Sequence, residues 1–230
     1  MRFLQGILIG VLLLSGLTGK GDFHVHGSYD LDNDGHEETL ILNARASSAI
    51  WVEIAKSSAI DTLWSFTLPQ GQIFNDAEIV DIDGDGYYDM VAVVDLFPSI
   101  KSQAWLYVFP GNADGFAHEP LVLSTESLGF NIVRPSNLSL VPGGSPQLCV
   151  AFGATLRQSM VFDIDISDND ISLMNIKMLI APIISNGYGL VYTGGFTSNG
   201  RQYIATLSPE RNQLKTAIFD VVQNFKLIQS

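Results

Sequence analysis

Asp81-Ile82-Asp83-Gly84-Asp85-Gly86-Tyr87-Tyr88-Asp89 sets carboxylates at positions 1, 3, 5 and 9 of one short run, with glycine at position 6. A tight turn folds alternating side chains inward, glycine permits its sharp bend, and the carbonyl of position 7, here Tyr87, adds another oxygen. Calcium accepts six to eight oxygens at about 2.3–2.6 Å, whereas magnesium demands stricter octahedral geometry and keeps more water. The chemistry expected of this run is therefore Ca2+ binding. A second run, Asp30, Asp32, Asp34, Gly35, His36 and Glu38, repeats the pattern with His36 at position 7 and Glu38 at position 9. The longer glutamate side chain weakens or reshapes that site.

An Asp-Gly hairpin turn needs no metal. Clustered carboxylates, however, repel one another by roughly 1 kcal/mol per pair at 4 Å even in bulk water, a cost that a cation removes. The EF-hand alternative fails, because position 12 is Ala92 in one run and Ile41 in the other, where a bidentate Glu is required, and no helical pattern flanks either run.

The remaining reactive residue types read as structural. Asp163-Ile164-Asp165-Ile166-Ser167-Asp168-Asn169-Asp170 alternates as a strand with one wet face does, and lacks the position-6 glycine. His24 and His26 share a strand face, but two ligands alone make a weak zinc or copper site. Cys149, the single cysteine, lies in the apolar run Leu148-Cys149-Val150-Ala151-Phe152 and reads as a small buried hydrophobe; no intrachain disulfide is possible. Asn137-Leu138-Ser139 matches a glycosylation acceptor that chance often supplies. No Gly-x-Ser-x-Gly elbow, phosphate-binding glycine loop or His-Glu-x-x-His is present, and the expectation is a protein that is not an enzyme.

The elements that must position these runs are short segments rich in Val, Ile, Leu, Phe, Tyr and Trp, separated by Gly, Asn, Asp, Ser and Pro. Ile50 to Ile54 reads as strand despite the Ala and Ser around it. Four glycine-containing turns each precede an apolar strand: Gly35 before Thr39–Asn43, Gly86 before Met90–Val94, Gly144 before Leu148–Phe152, and Gly200 before Tyr203–Leu207. Their spacings of about 51, 58 and 56 residues fall where propeller blades and solenoid units fall. In the second unit, Ala104 to Phe109 and Phe116 to Leu123 supply the remaining strands. The predicted fold is all-β, with about four four-stranded repeats at about 21–70, 71–125, 126–182 and 183–230. The exposed edges of its end sheets are expected to be removed by ring closure, with covered edges or association of two chains as alternatives.

The run Asp-x-Asp-x-Asp-Gly-x-x-Asp/Glu followed by an apolar strand resembles the calcium loops of FG-GAP (VCBS-type) repeats, as in integrin α-chain propellers. The resemblance implies a β-propeller whose blades hold calcium between their first two strands. It implies as ligands Asp81, Asp83, Asp85, Tyr87 and Asp89 in one loop, and Asp30, Asp32, Asp34, His36 and Glu38 in the other. The third and fourth repeats keep the turn and strand but lack the carboxylates.

Twenty-four acidic against 12 basic residues give a net charge of −12, which disfavours nucleic acid and anionic membranes and suits cations. Met1-Arg2, an apolar run from Phe3 to about Leu17, and small residues before Lys20 have the layout of a secretory signal peptide, and the run is shorter than the roughly 20 residues that span a bilayer. The expectation is a leader over 1–20 and an exported domain over 21–230, secreted, periplasmic or at the cell surface, with no membrane insertion once the leader is removed. Its expected role is a calcium-rigidified scaffold for an unidentified protein or glycan partner. A lectin or carbohydrate-active enzyme is one alternative, with Trp51, Trp64, Trp105, Tyr87 and Tyr88 as stacking platforms; a structural module of a bacterial envelope is another.

Overall fold

Met90-Val91-Ala92-Val93-Val94 contains no polar residue because both faces of its strand are buried. Met90, Ala92 and Val94 point into one apolar layer, and Val91 and Val93 into another. The same logic explains the uninterrupted apolar run around Cys149, in which Leu148, Val150 and Phe152 face one layer and Cys149 the next. Strands of this kind belong in the middle of a stack of sheets.

The computed structural model describes residues 23–30, 35–44, 46–54, 59–96, 104–113, 115–128, 134–143, 146–153, 158–180, 192–210 and 213–229. They form an all-β molecule of four four-stranded antiparallel sheets, whose strands are neighbours in chain order except that the β8–β9 hairpin intervenes between β7 and β10. The first contains β1 (Phe23–Tyr29), β2 (Glu38–Asn43), β3 (Ser48–Ile54) and β4 (Ile60–Thr67). The second contains β5 (Gln72–Val80), β6 (Asp89–Leu96), β7 (Ala104–Phe109) and β10 (Leu121–Ser124), with a small hairpin of β8 (Gly111–Asn112) and β9 (Gly115–Phe116) between β7 and β10. A single 3-10 turn (Thr125–Leu128) precedes the third sheet of β11 (Pro135–Leu140), β12 (Leu148–Phe152), β13 (Gln158–Ser167) and β14 (Asp170–Leu179). The fourth contains β15 (Tyr192–Ser198), β16 (Arg201–Glu210), β17 (Gln213–Asp220) and β18 (Lys226–Gln229).

Three apolar layers join successive sheets. Leu40, Leu42, Trp51 and Trp64 of the first sheet meet Phe74, Met90, Val94 and Phe109 of the second. Val91, Val93, Trp105 and Val108 meet Leu138, Val150, Phe152 and Phe162 of the third. Cys149, Val161 and Leu179 meet Ile204, Ala217 and Phe219 of the fourth. Full burial of each large apolar side chain is worth about 1.5–3 kcal/mol, so these layers hold the stack together. Arg134 adds a link at the second junction, donating from Nη2 (2.6 Å) and Nε (2.9 Å) to Asp95 Oδ2.

A chain of polar contacts runs across the first strands of all four sheets. Asp76 Oδ2 on β5 accepts from Asn137 Nδ2 at 2.5 Å and from Leu138 N at 3.0 Å on β11. Asn137 Oδ1 in turn accepts from Thr193 N on β15 at 2.7 Å. On the other side, His26 Nε2 of β1 lies 3.3 Å from Asp76 Oδ1, but out of line for a hydrogen bond. Burial lowers the His26 pKa, opposed by the charge of Asp76. Beside it, burial pushes Glu78 up to about 7, with the Asp76 charge acting in the same direction and an N–H from Leu140 opposing. His26 is therefore tied into a sheet junction rather than presented with His24 as a metal pair, and Asn137 is engaged within the seam rather than held out as a glycosylation acceptor.

Two sequence expectations require correction. Phe116 to Leu123 is not one strand: Phe116 closes the β8–β9 hairpin, and β10 begins only at Leu121. Ring closure is not found either; the first sheet packs on the second and the fourth on the third, and among the described residues no comparable packing joins the first sheet to the fourth. The expected leader, 1–20, lies outside the described residues. No helix among those residues is long and apolar enough to cross a membrane.

Candidate metal centre

The β5–β6 connection is organised by its own carboxylates. Asp81 accepts from Gly84 N through Oδ1 (2.8 Å) and from Gly86 N through Oδ2 (3.1 Å). Asp83 Oδ1 accepts from Asp85 N (3.1 Å), and Asp85 Oδ1 from Tyr87 N (2.8 Å). These bonds satisfy backbone donors that a hairpin this long otherwise leaves to water, which is why Asp recurs at alternate positions. Gly86 takes φ +95°, a left-handed conformation that L side chains rarely adopt.

Asp89 anchors the loop. Its side chain is buried at the head of β6, where Oδ2 accepts from Ile82 N (2.8 Å) and Oδ1 from Gly111 N (2.7 Å). Gly111 must be glycine, since a Cβ there would lie 2.1 Å from the carbonyl oxygen of Tyr88. Burial pushes the Asp89 carboxyl up to about 6 despite the N–H groups of Gly111 and Ile82, and the charges of Asp83 and Asp85 push it the same way. The cluster thus concentrates negative charge on a buried oxygen with no cationic side chain among its hydrogen-bond partners.

One carboxylate oxygen each from Asp81, Asp83 and Asp89 lies within 4.8 Å of the other two, so this triad can hold a metal ion. An all-oxygen donor set on a turn suits a hard cation. Asp85 is not part of this group; its Oδ1 accepts from Tyr87 N. Tyr87 and Tyr88 project from the loop, both close to half exposed, while Trp51, Trp64 and Trp105 are buried in the sheet layers and present no stacking surface.

The β1–β2 connection shows the same frame where it is described. Asp30 Oδ2 accepts from Gly35 N at 3.2 Å, as Asp81 does from Gly86, and Gly35 takes φ +85°. Glu38 is buried at the head of β2, the place Asp89 holds on β6. His36 Nδ1 lies 3.2 Å from Glu53 Oε1 on β3. The predicted ligands Asp32 and Asp34 lie outside the described residues. The stretch from Asp163 to Asp170 is strand and turn as expected: Asp163 accepts from Gln147 and Asn175 side chains, and Asp168 and Asn169 form the β13–β14 turn with φ 51° and 61°. Burial pushes the Cys149 thiol up to about 12, against a contact with Thr193 Oγ1 at 3.2 Å.

Gly111 is the participant that sequence reasoning missed. It is 22 positions from Asp89, and no spacing rule connects a glycine after β7 to a carboxylate on β6.

No protein-family model and no curated protein matches the chain. Among solved structures, a protein from Lactobacillus plantarum is similar, with a TM-score of 0.52 at 15% identity over 84% of this chain. The likeness is one of fold, and the match spans 53% of that longer chain.

Proposed function

We propose that the chain is an exported, calcium-binding scaffold of FG-GAP (VCBS-type) propeller repeats that presents a binding or adhesion surface to a protein or glycan, rather than an enzyme. The observation that carries this reading is the convergence of Asp81, Asp83 and Asp89 on a loop whose backbone is already held by Asp81, Asp85 and Asp89. Calcium is preferred to magnesium because a flexible set of carboxylates and loop carbonyls suits its larger coordination number. Bound to the folded loop and not to the unfolded chain, it adds about 2.7 kcal/mol when free calcium is 100 times the dissociation constant.

Thermal unfolding in EDTA, in millimolar magnesium and in millimolar calcium tests the reading. A calcium-selective rise that Asp83→Ala reduces supports it; equal midpoints in all three solutions sink it. The exposed Tyr87 and Tyr88 beside the triad favour a lectin as the second reading, in which calcium-dependent retention on immobilised glycans is lost in Tyr87→Ala.

A further inference from the structure

The three junctions between successive sheets are built of unequal material. Trp51, Trp64, Phe74, Phe109 and Phe116 fill the first and Trp105, Phe152 and Phe162 the second, whereas Phe219 is the one aromatic among the described side chains buried in the third. Hydroxyls stand there in place of apolar bulk. Ser139 on β11 pairs with Cys149, Ser159 on β13 with Leu179, and Thr206 on β16 with both Thr193 and Ala217, so these side chains lie on the faces that the third and fourth sheets turn to each other. Ser208, two residues beyond Thr206, shares its face. All five are buried, and elsewhere among the described residues the only other buried serines or threonines are Thr39 and Thr125. The hydroxyls of Ser139 and Ser159 have no hydrogen-bond partner in the protein, so closing this junction costs their hydration and opening it restores it.

Little else fastens the fourth sheet. Thr193 N donates to Asn137 Oδ1 at 2.7 Å, Cys149 Sγ lies 3.2 Å from Thr193 Oγ1, and Lys177 Nζ reaches Asn224 Oδ1 at 2.6 Å on the exposed rim. Among the described residues no comparable packing joins its other face to the first sheet, and one chain crossing, between Leu179 and Tyr192, ties it to the third. We propose that the fourth sheet, β15 to β18, is a detachable end sheet: it opens from the third as one cooperative unit while the first three sheets stay folded, and the opening bares Cys149 at the seam. Buried apolar area sets how firmly such a unit is held, and a unit of a stack with a neighbour on one side only is the first to open. While the seam is closed Cys149 is fully buried, its thiol pushed up to about 12, and inert; once the seam opens it meets water and regains ordinary thiol chemistry.

Two probes separate this opening from global unfolding. Cys149, the single cysteine, reports on the third junction, and Trp51, Trp64 and Trp105 report on the first two. A urea titration of the purified chain in EDTA follows thiol labelling by dithionitrobenzoate beside tryptophan fluorescence, and amide hydrogen exchange without urea compares β15–β18 with β6 and β7. The result expected is labelling of Cys149 at urea concentrations where the fluorescence is still native, with a shallower urea dependence, and faster exchange throughout β15–β18. Ile204→Ala, which thins only the third junction, should raise the labelling rate without urea about tenfold or more and leave the fluorescence midpoint in place. Val93→Ala, in the second junction, should lower the fluorescence midpoint and leave the labelling rate in place. Labelling and fluorescence that follow one urea curve, with β15–β18 protected as strongly as β6 and β7, overturn the proposal, as does an Ile204→Ala chain that shifts both probes equally. Calcium enters neither arm, so failure here is separate from failure of the metal site.

Discussion

The first and second strands of the second and fourth sheets are joined in opposite ways. Between β15 and β16, Asn199 and Gly200 make the whole connection, both at positive φ, and the chain reverses with nothing left over. Between β5 and β6, residues 81–88 make the same reversal with a long loop that carries three carboxylates and is fastened by a fourth. Joining two antiparallel strands therefore requires neither the length nor the charge of residues 81–88. What the longer loop adds is a converging set of oxygens, and with it the electrostatic cost of holding them together. The β1–β2 connection falls on the same side of the comparison, sharing the Asp30–Gly35 bond and the buried Glu38.

The comparison breaks most severely at Asp89. Asp89→Ala leaves Ile82 N and Gly111 N without their acceptor, and at about 1–3 kcal/mol for each orphaned donor the variant should lose roughly 2–6 kcal/mol in EDTA and its calcium response as well. Denaturant unfolding with and without calcium measures both losses. Asp83→Ala separates binding from folding: in EDTA its stability should equal or exceed the wild type's, because carboxylate repulsion falls, while most of the calcium-dependent gain of about 2.7 kcal/mol at 100 times the dissociation constant disappears. Asp32→Ala should remove a smaller part of that gain, since Glu38 stands where the second loop has Asp89.

Gly200→Ala forces a Cβ into a left-handed turn position and should cost about 1 kcal/mol, equally in EDTA and in calcium. A calcium-dependent penalty there would dissolve the distinction between the two kinds of connection. A separate effect concerns pH. Because the folded chain holds Glu78 at about 7, above the ordinary value of 4.5, the folded state binds the extra proton between those pH values. Its contribution to stability is full below about 4.5 and is lost as pH rises through 7. In EDTA the unfolding midpoint of Glu78→Gln should therefore fall less between pH 5 and 8 than that of the wild type.

Much of this was legible in the residues because short-range patterns dominate an antiparallel meander. The apolar runs at Met90 and Leu148, the turn at Asp168-Asn169, and the strand identity of Ile50 to Ile54 follow from period, burial and turn chemistry within a few residues. The run from Asp81 to Asp89 was legible for the same reason. The seam of His26, Asp76, Asn137 and Thr193 was not, because it joins four sheets through partners separated by long stretches of chain. Nor was the role of Gly111, or the division of Phe116 to Leu123 between a hairpin and a strand. Sheet closure also escapes local reading, since it depends on how the first and fourth sheets lie and not on the pattern within any one strand.

The central claim is that the β5–β6 loop is a calcium site and not an elaborate turn. Calorimetric titration of the EDTA-stripped chain with calcium, beside Asp83→Ala and with magnesium as the competing ion, tests it most directly. The account predicts calcium-selective heat from the wild type and the loss of one binding event in Asp83→Ala. Identical isotherms for the two proteins, or no heat from either, would contradict it.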